Sequence, residues 1–245
     1  MVLLMGQQGL VVNSENMNLE YTNFQKLLSE FLGTLFLLLI VIGSGIMGES
    51  LASGNAAVAL LANAIATGTG LYVLIHLFGP ISGAHFNPIV SLYFHFSEKK
   101  KKKDTILFII VQILGGILGV WLSHFLFELP ILQTSLHIRT GMAQWISEIV
   151  ATSGLLLTIV LGLRHNPLQV PALVGSYITA AYWFTSSTSF ANPAVTIART
   201  LSNTFAGIRP EDSLGFILSQ ILGLALSFFI LTVLTKAGRS KSTTS

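Results

Sequence analysis

Asn87-Pro88-Ile89 and Asn192-Pro193-Ala194 stand 105 residues apart in a chain of 245 residues. Asparagine caps helices by accepting the amide hydrogens of the first turn, and proline is at home in the first helical position. A single Asn-Pro pair reads as an ordinary cap. Two pairs brought to one point do more, because each asparagine amide carries two donor hydrogens that a passing oxygen can accept. Glu30 and Glu148 are the only acids within the apolar stretches. A carboxylate at membrane depth is costly and marks function, either as a proton relay or as a brace for unwound backbone. Only these two acids are available, so the brace is preferred. His85 and His76 have no partner acids or histidines at ligand spacing, so no metal site is predicted. His85 reads as a structural or wall-lining hydrogen-bonding group. No nucleophile–base constellation appears, so neither a catalytic residue nor a cofactor is expected and an enzyme is disfavoured. The absence of cysteine removes disulfides and thiolate chemistry.

These groups must be positioned by an apolar scaffold. The chain is 52% apolar and 9% charged, with a mean hydropathy of +0.73, where a soluble domain carries about 25% charged residues. A bilayer crossing takes about 20 mainly apolar residues, and six stretches qualify: 27–47, 56–78, 105–127, 143–163, 169–186 and 213–235. Pro171, Gly175 and the polar run Thr185 to Ser189 weaken the fifth. Two further stretches, 88–96 and 193–203, are too short to cross, and each follows one of the asparagines. They read as half-helices that dip into the membrane. The first 25 residues lack the pattern of a cleaved leader and read as a tail.

The two halves repeat. Leu28-Ser29-Glu30-Phe31 matches Ile146-Ser147-Glu148-Ile149, the Asn-Pro motifs match each other, and Asp104, Phe108, Gln112 and Gly115 match Asp212, Phe216, Gln220 and Gly223. The offsets are 118, 105 and 108. Three crossings per half force the second half in upside down, which puts the functional site near the midplane between the halves. The basic residues set the orientation. Placing both termini inside gathers Lys26, Lys99 to Lys103, Arg164, Lys236, Arg239 and Lys241 on one side, ten against Arg139, Arg199 and Arg209 on the other. The pI of 9.3 is therefore read as a topology signal, without a nucleic-acid partner.

Paired Asn-Pro-Ala-like motifs in a six-helix inverted repeat resemble the aquaporin, or major intrinsic protein, family over about residues 26 to 235. The resemblance is carried by Ser82-Gly83-Ala84-His85-Phe86-Asn87-Pro88-Ile89 and Ser189-Phe190-Ala191-Asn192-Pro193-Ala194. It implies an all-α membrane protein with six transmembrane helices and two re-entrant half-helices, arranged as a right-handed bundle. It also implies a homotetramer in the cell (plasma or inner) membrane, with a pore in each subunit. The domain organisation expected is a cytoplasmic tail over 1–25, an aquaporin-like channel domain over 26–235 (repeats 26–127 and 141–235) and a cytoplasmic tail over 236–245. The brace role of Glu30 and Glu148 is implied as well. The function implied is a passive channel for water and small uncharged solutes, with lipid as its surroundings.

The chain departs from the family where an arginine usually follows the second motif, because Val195 stands there. Arg199 lies one helical turn further on and is a further candidate for the opening. Thr67 lies twenty residues before Asn87, where water-selective members carry an aromatic, and Ser189 lies three before Asn192. The fourth member of the ring is Ala180 by counting back from Asn192, or Tyr182 by counting forward from Gly175. Small groups at Thr67, Ser189 and Val195 favour glycerol-like polyols and metalloid hydroxides over strict water selectivity, as in bacterial members with an Asn-Pro-Ala-Val motif. Ile89 replaces the small alanine of the first motif and is expected to alter packing beneath Asn87 without removing its donor. The competing reading is a secondary transporter, which also uses inverted repeats but needs ionisable groups for coupling. A membrane scaffold with a closed pore is the third.

Overall fold

The structure, a computed structural model, describes residues 20–235; residues 1–19 and 236–245, and with them Lys236, Arg239, Lys241, the whole predicted tail over 236–245 and most of that over 1–25, lie outside them. Eight α-helices follow in order: α1 (Asn23–Leu51), α2 (Ala56–Ser82), α3 (Pro88–Glu98), α4 (Lys102–Leu126), α5 (Met142–His165), α6 (Val170–Phe184), α7 (Pro193–Arg199) and α8 (Pro210–Thr235). Helices α1, α2, α4, α5 and α8 are each long and apolar enough to cross a bilayer.

The fifth predicted span is shorter than 169–186. Its helix, α6, has 15 residues, about 22 Å at 1.5 Å per residue, against the ~30 Å of a hydrocarbon core. A 3-10 turn over Pro167–Gln169 leads into it, and the chain turns extended at Thr185. Non-helical backbone at such depth is tolerated where it is covered by protein. The second half-helix is also shorter than 193–203 and closes at Arg199, where tighter bonds from Thr200 N to Ile197 O and from Leu201 N to Ala198 O end it.

Both half-helices start as their sequences dictate. Asn87 and Asn192 sit at the N-caps in extended conformation, with proline in the first turn of each helix. Each half-helix packs against elements of the opposite half, α3 on α8 and α7 on α4, and the two meet each other. Within the halves, α1 pairs with α4 and α5 with α8, while α2 and α6 join the halves.

Small residues set these distances. At Gly115 an added Cβ collides with the carbonyl oxygen of Phe31 across the α1–α4 contact, and at its repeat mate Gly223 it lies 2.7 Å from Thr152 Cβ across α5–α8. Without a hydrophobic drive between helices in lipid, such close backbone approach is what holds them together. Gly68 and Gly175 make the same approach between α2 and α6, where a Cβ on Gly175 lies 2.5 Å from the Gly68 carbonyl oxygen.

Gly115→Val and Gly223→Val should each cost about 1–3 kcal/mol through overpacking. Thermal melting of the detergent-solubilised protein should show both midpoints lowered, and unchanged midpoints would remove these glycines from the packing account.

Candidate functional site

The backbone before each Asn-Pro motif leaves helical geometry at depth. Ala84 and Phe86 in the first half, and Ser189 and Ala191 in the second, take left-handed conformations with φ between 47 and 51°. Such positions cost about 1–3 kcal/mol each for non-glycine residues and persist only when the surroundings enforce them. The enforcement comes from the two glutamates. Glu30 Oε1 accepts from Ser82 Oγ at 2.6 Å and His85 N at 2.9 Å, and its Oε2 accepts from Phe86 N at 2.7 Å and Gln112 Nε2 at 2.8 Å. Glu148 repeats the set, taking Ser187 Oγ at 2.6 Å and Phe190 N at 2.9 Å on Oε1, and Ala191 N at 2.8 Å and Gln220 Nε2 at 2.7 Å on Oε2. Each carboxylate is fully buried and accepts four donors.

The motifs then lock to each other. Asn87 Nδ2 donates to Ala191 O and Asn192 Nδ2 to Phe86 O, both at 2.8 Å. The Oδ1 of Asn87 accepts from Ile89 N, and that of Asn192 from Ala194 N and Val195 N. One amide hydrogen of each asparagine is left for the cavity that both line. Ile89 is buried among Val90, Leu156 and Leu224 and leaves Asn87 in place.

That cavity, of about 120 Å³, runs between the halves. One side is aliphatic, with Leu37, Val41, Leu71, Leu155, Val174 and Ile178 from the long helices; the other carries His85, Asn87 and Asn192. Towards the face opposite the termini it is bordered by Thr67, Tyr182, Ser189, Val195 and Arg199. Thr67 Oγ1 and Tyr182 OH are hydrogen-bonded at 3.2 Å. Tyr182, reached by counting forward from Gly175, faces Thr67 because the Gly68–Gly175 approach fixes α6 and Tyr182 lies two turns along the same face. Ala180 is corrected: it is exposed and does not border the cavity.

His85 also borders the cavity; its Nδ1 pairs with Ser91 Oγ at 3.0 Å and its ring stacks on Phe94 with centroids 5.0 Å apart. His76 lies outside on the exposed face of α2, stacked with Tyr72. Among the described residues no three of His, Cys, Asp and Glu converge on a metal position.

Arg199 is 2% exposed and lays its guanidinium over the Phe190 ring, Cζ 3.4 Å from the centroid, with Nε donating to Ala206 O. A second arginine joins it there. Arg139, from the α4–α5 loop, is 7% exposed, and its Cζ lies 5.3 Å from the same ring. From sequence Arg139 counted only as an outer charge, since a loop residue with no matching arginine in the first half carries no spacing signal. The cradle donors Ser82, Ser187, Gln112 and Gln220 were also unassigned, although they recur at the motif and helix offsets of 105 and 108 and could have been found that way.

Two inverted halves, each sending a half-helix to a shared midplane cavity, define a membrane protein built around a central pore. The Major intrinsic protein family profile matches residues 18–181. Aquaglyceroporin AqpS of Rhizobium meliloti (strain 1021) is 49% identical over 220 residues, covering 90% of this chain and 94% of that protein. A probable glycerol uptake facilitator protein of Thermotoga maritima is 32% identical over 165 residues, covering 60% and 69%. The crystal structure of the aquaglyceroporin from Plasmodium falciparum superposes with a TM-score of 0.69 at 20% identity, covering 87% of this chain and 98% of that one. The chain belongs to the major intrinsic protein family.

Replacing Glu148 by glutamine turns one accepting oxygen into a donor aimed at donors. Leaving a buried group unpaired costs about 1–3 kcal/mol, so Glu148→Gln and Glu30→Gln should each lower the melting temperature. A relay would instead show as transport that loses a pH dependence while stability stays intact.

Proposed function

We propose that the protein is a passive channel for water and small uncharged solutes of the glycerol class, with metalloid hydroxides as further candidates. The observation that carries this reading is the two-sided cavity: aliphatic walls facing asparagine donors suit a molecule with a carbon face and a hydroxyl face. The positive ends of α3 and α7 and the asparagine donors meet at the midplane, where they oppose cations and interrupt a proton-conducting file of water. No aspartate or glutamate borders this cavity among the described residues, and the carboxylates of Glu30 and Glu148 are engaged in their cradles. This supports a pore over ion-coupled transport, and neither an enzyme nor a metal is invoked.

Thr67, Tyr182, Ser189, Val195 and Arg199 form the selecting constriction in this reading. Val195 leaves open the space an arginine would fill, while Arg199 reaches the same opening from one turn further along α7. Glu30, Glu148 and His85 act as braces, and Asn87, Pro88, Ile89, Asn192, Pro193 and Ala194 form the midplane. The face that bears Lys26, Lys99 to Lys103 and Arg164 is the cytoplasmic one, following the excess of basic residues there. Both tails lie on that side of the cell membrane, and four copies assemble as a homotetramer.

Stopped-flow light scattering on proteoliposomes should show glycerol as well as water crossing. Glycerol flux should rise linearly with concentration and ignore proton and sodium gradients. A pore that passes water and excludes glycerol would falsify the reading of the constriction. Val195→Arg should lower glycerol flux more than water flux, and Arg199→Ala should raise it. Asn192→Asp places a negative charge where donors converge and should admit cations; unchanged ion exclusion in a well-folded variant removes Asn192 from the barrier.

A further inference from the structure

The inverted repeat supplies its own comparison for the outer constriction. At the motif offset of 105, Phe190 corresponds to His85 and Arg199 to Phe94; at 108, Phe216 corresponds to Phe108. The packing corresponds too. His85 stacks on Phe94 and meets Phe108 edge-on at 5.5 Å, while Phe190 lies under Arg199 and meets Phe216 edge-on at 5.0 Å. Arg139 breaks the match. At the offset of 118 its mate is Tyr21, and there the first half has an open cavity of about 690 Å³, bordered by Tyr21, Ser82, His85, Asp104 and Phe108. The equivalent place in the second half holds the Arg139 side chain, against Ser187, Phe190 and the 205–207 loop. The first half thus builds the same carboxylate cradle without an arginine, so the cradle does not require one.

Arg139 is built in from all sides. Its Nε donates to Gly207 O at 2.8 Å, Nη1 to Ser187 O and Thr188 Oγ1 at 3.5 Å, and Nη2 to Phe205 O at 3.4 Å. Its backbone N–H donates to Asp212 Oδ2 at 2.9 Å. All its side-chain partners are neutral. Among the described residues neither Arg139 nor Arg199 has a carboxylate within ion-pair distance, and the Asp212 carboxylate is taken by Arg209. Glu148, which accepts from the backbone N–H of Phe190, makes no ion pair with either guanidinium. The surplus charge reaches the mouth at His137, whose imidazole is held below its ordinary range by desolvation first, then by Arg139 and Arg199.

We infer that Arg139 is a positioning residue for solute selection: it fixes the Phe190 ring from behind and thereby holds the Arg199 guanidinium over the pore. Arg139 does not border the cavity itself. It acts through a ring whose face attracts both cations, and through a planar fork that ties the 187–188 turn to the 205–207 loop. A lysine offers the charge without the fork. The inference rests on the proposed role of the outer constriction.

The glycerol-to-water permeability ratio of proteoliposomes tests it, with gel filtration and melting to verify the fold. Arg139→Ala should move the ratio several-fold in the same direction as Arg199→Ala, and Arg139→Lys should follow the alanine variant. Because Arg139 works through Arg199, adding Arg139→Ala to Arg199→Ala should change the ratio no further. An unchanged ratio in Arg139→Ala, additive effects in the double variant, or a lysine variant that behaves as wild type would each overturn the inference. If Arg139→Ala does not fold, the lysine variant alone decides. An unchanged ratio in Arg199→Ala would instead sink the assignment of the constriction.

Discussion

A backbone amide left open at the centre of a bilayer has no water to turn to, and every departure from helix there must be answered by a fixed partner. The two strained segments before the Asn-Pro motifs make that demand, and Glu30 and Glu148 meet it. Each carboxylate gathers two backbone amides, a serine hydroxyl and a glutamine amide. The glutamine is held in turn by its half-helix, Gln112 on Ser91 and Gln220 on Thr196. The position of the asparagines, the direction of both half-helices and the shape of the cavity follow from these cradles. The membrane cost of two buried acids is offset by the four donors that converge on each of them.

The halves share this machinery and differ in what they mount on it. His85 and Phe94 form an aromatic stack at one end of the cavity, while Phe190 and Arg199 put a cation at the equivalent place. Val90 and Val195 stand at matching positions beside the asparagines and both border the cavity. An inverted repeat left alone builds a pore with similar ends. In this chain the two ends of the cavity differ in that Arg199 borders one of them, with the α4–α5 loop placing Arg139 behind it on Gly207 O.

Much of this was legible from residue spacing. The proline-capped half-helices, the paired asparagines and the repeated Glu…Gln offsets are local or periodic signals, and the six apolar stretches fell on α1, α2, α4, α5, α6 and α8. Ala180 against Tyr182 was not decidable by counting from Asn192. The chain between α6 and the motif takes left-handed turns at Thr188, Ser189 and Ala191, and a count through irregular backbone carries no face. The Gly68–Gly175 approach supplied the register. Arg139 was silent because most of its hydrogen-bond partners are carbonyl oxygens of two other loops, which no side-chain pattern announces.

The reciprocal bond between the motifs has a bearing on how the protein is made. Asn87 is satisfied by the carbonyl of Ala191, and the carbonyl of Phe86 by Asn192. A ribosome delivers the first partner some hundred residues before the second. Until then the amino-terminal half can settle its own glutamate cradle, but its half-helix holds a donor and an acceptor that only the later half can answer. Until the second motif is made, that donor and that acceptor lack the partners the finished fold gives them.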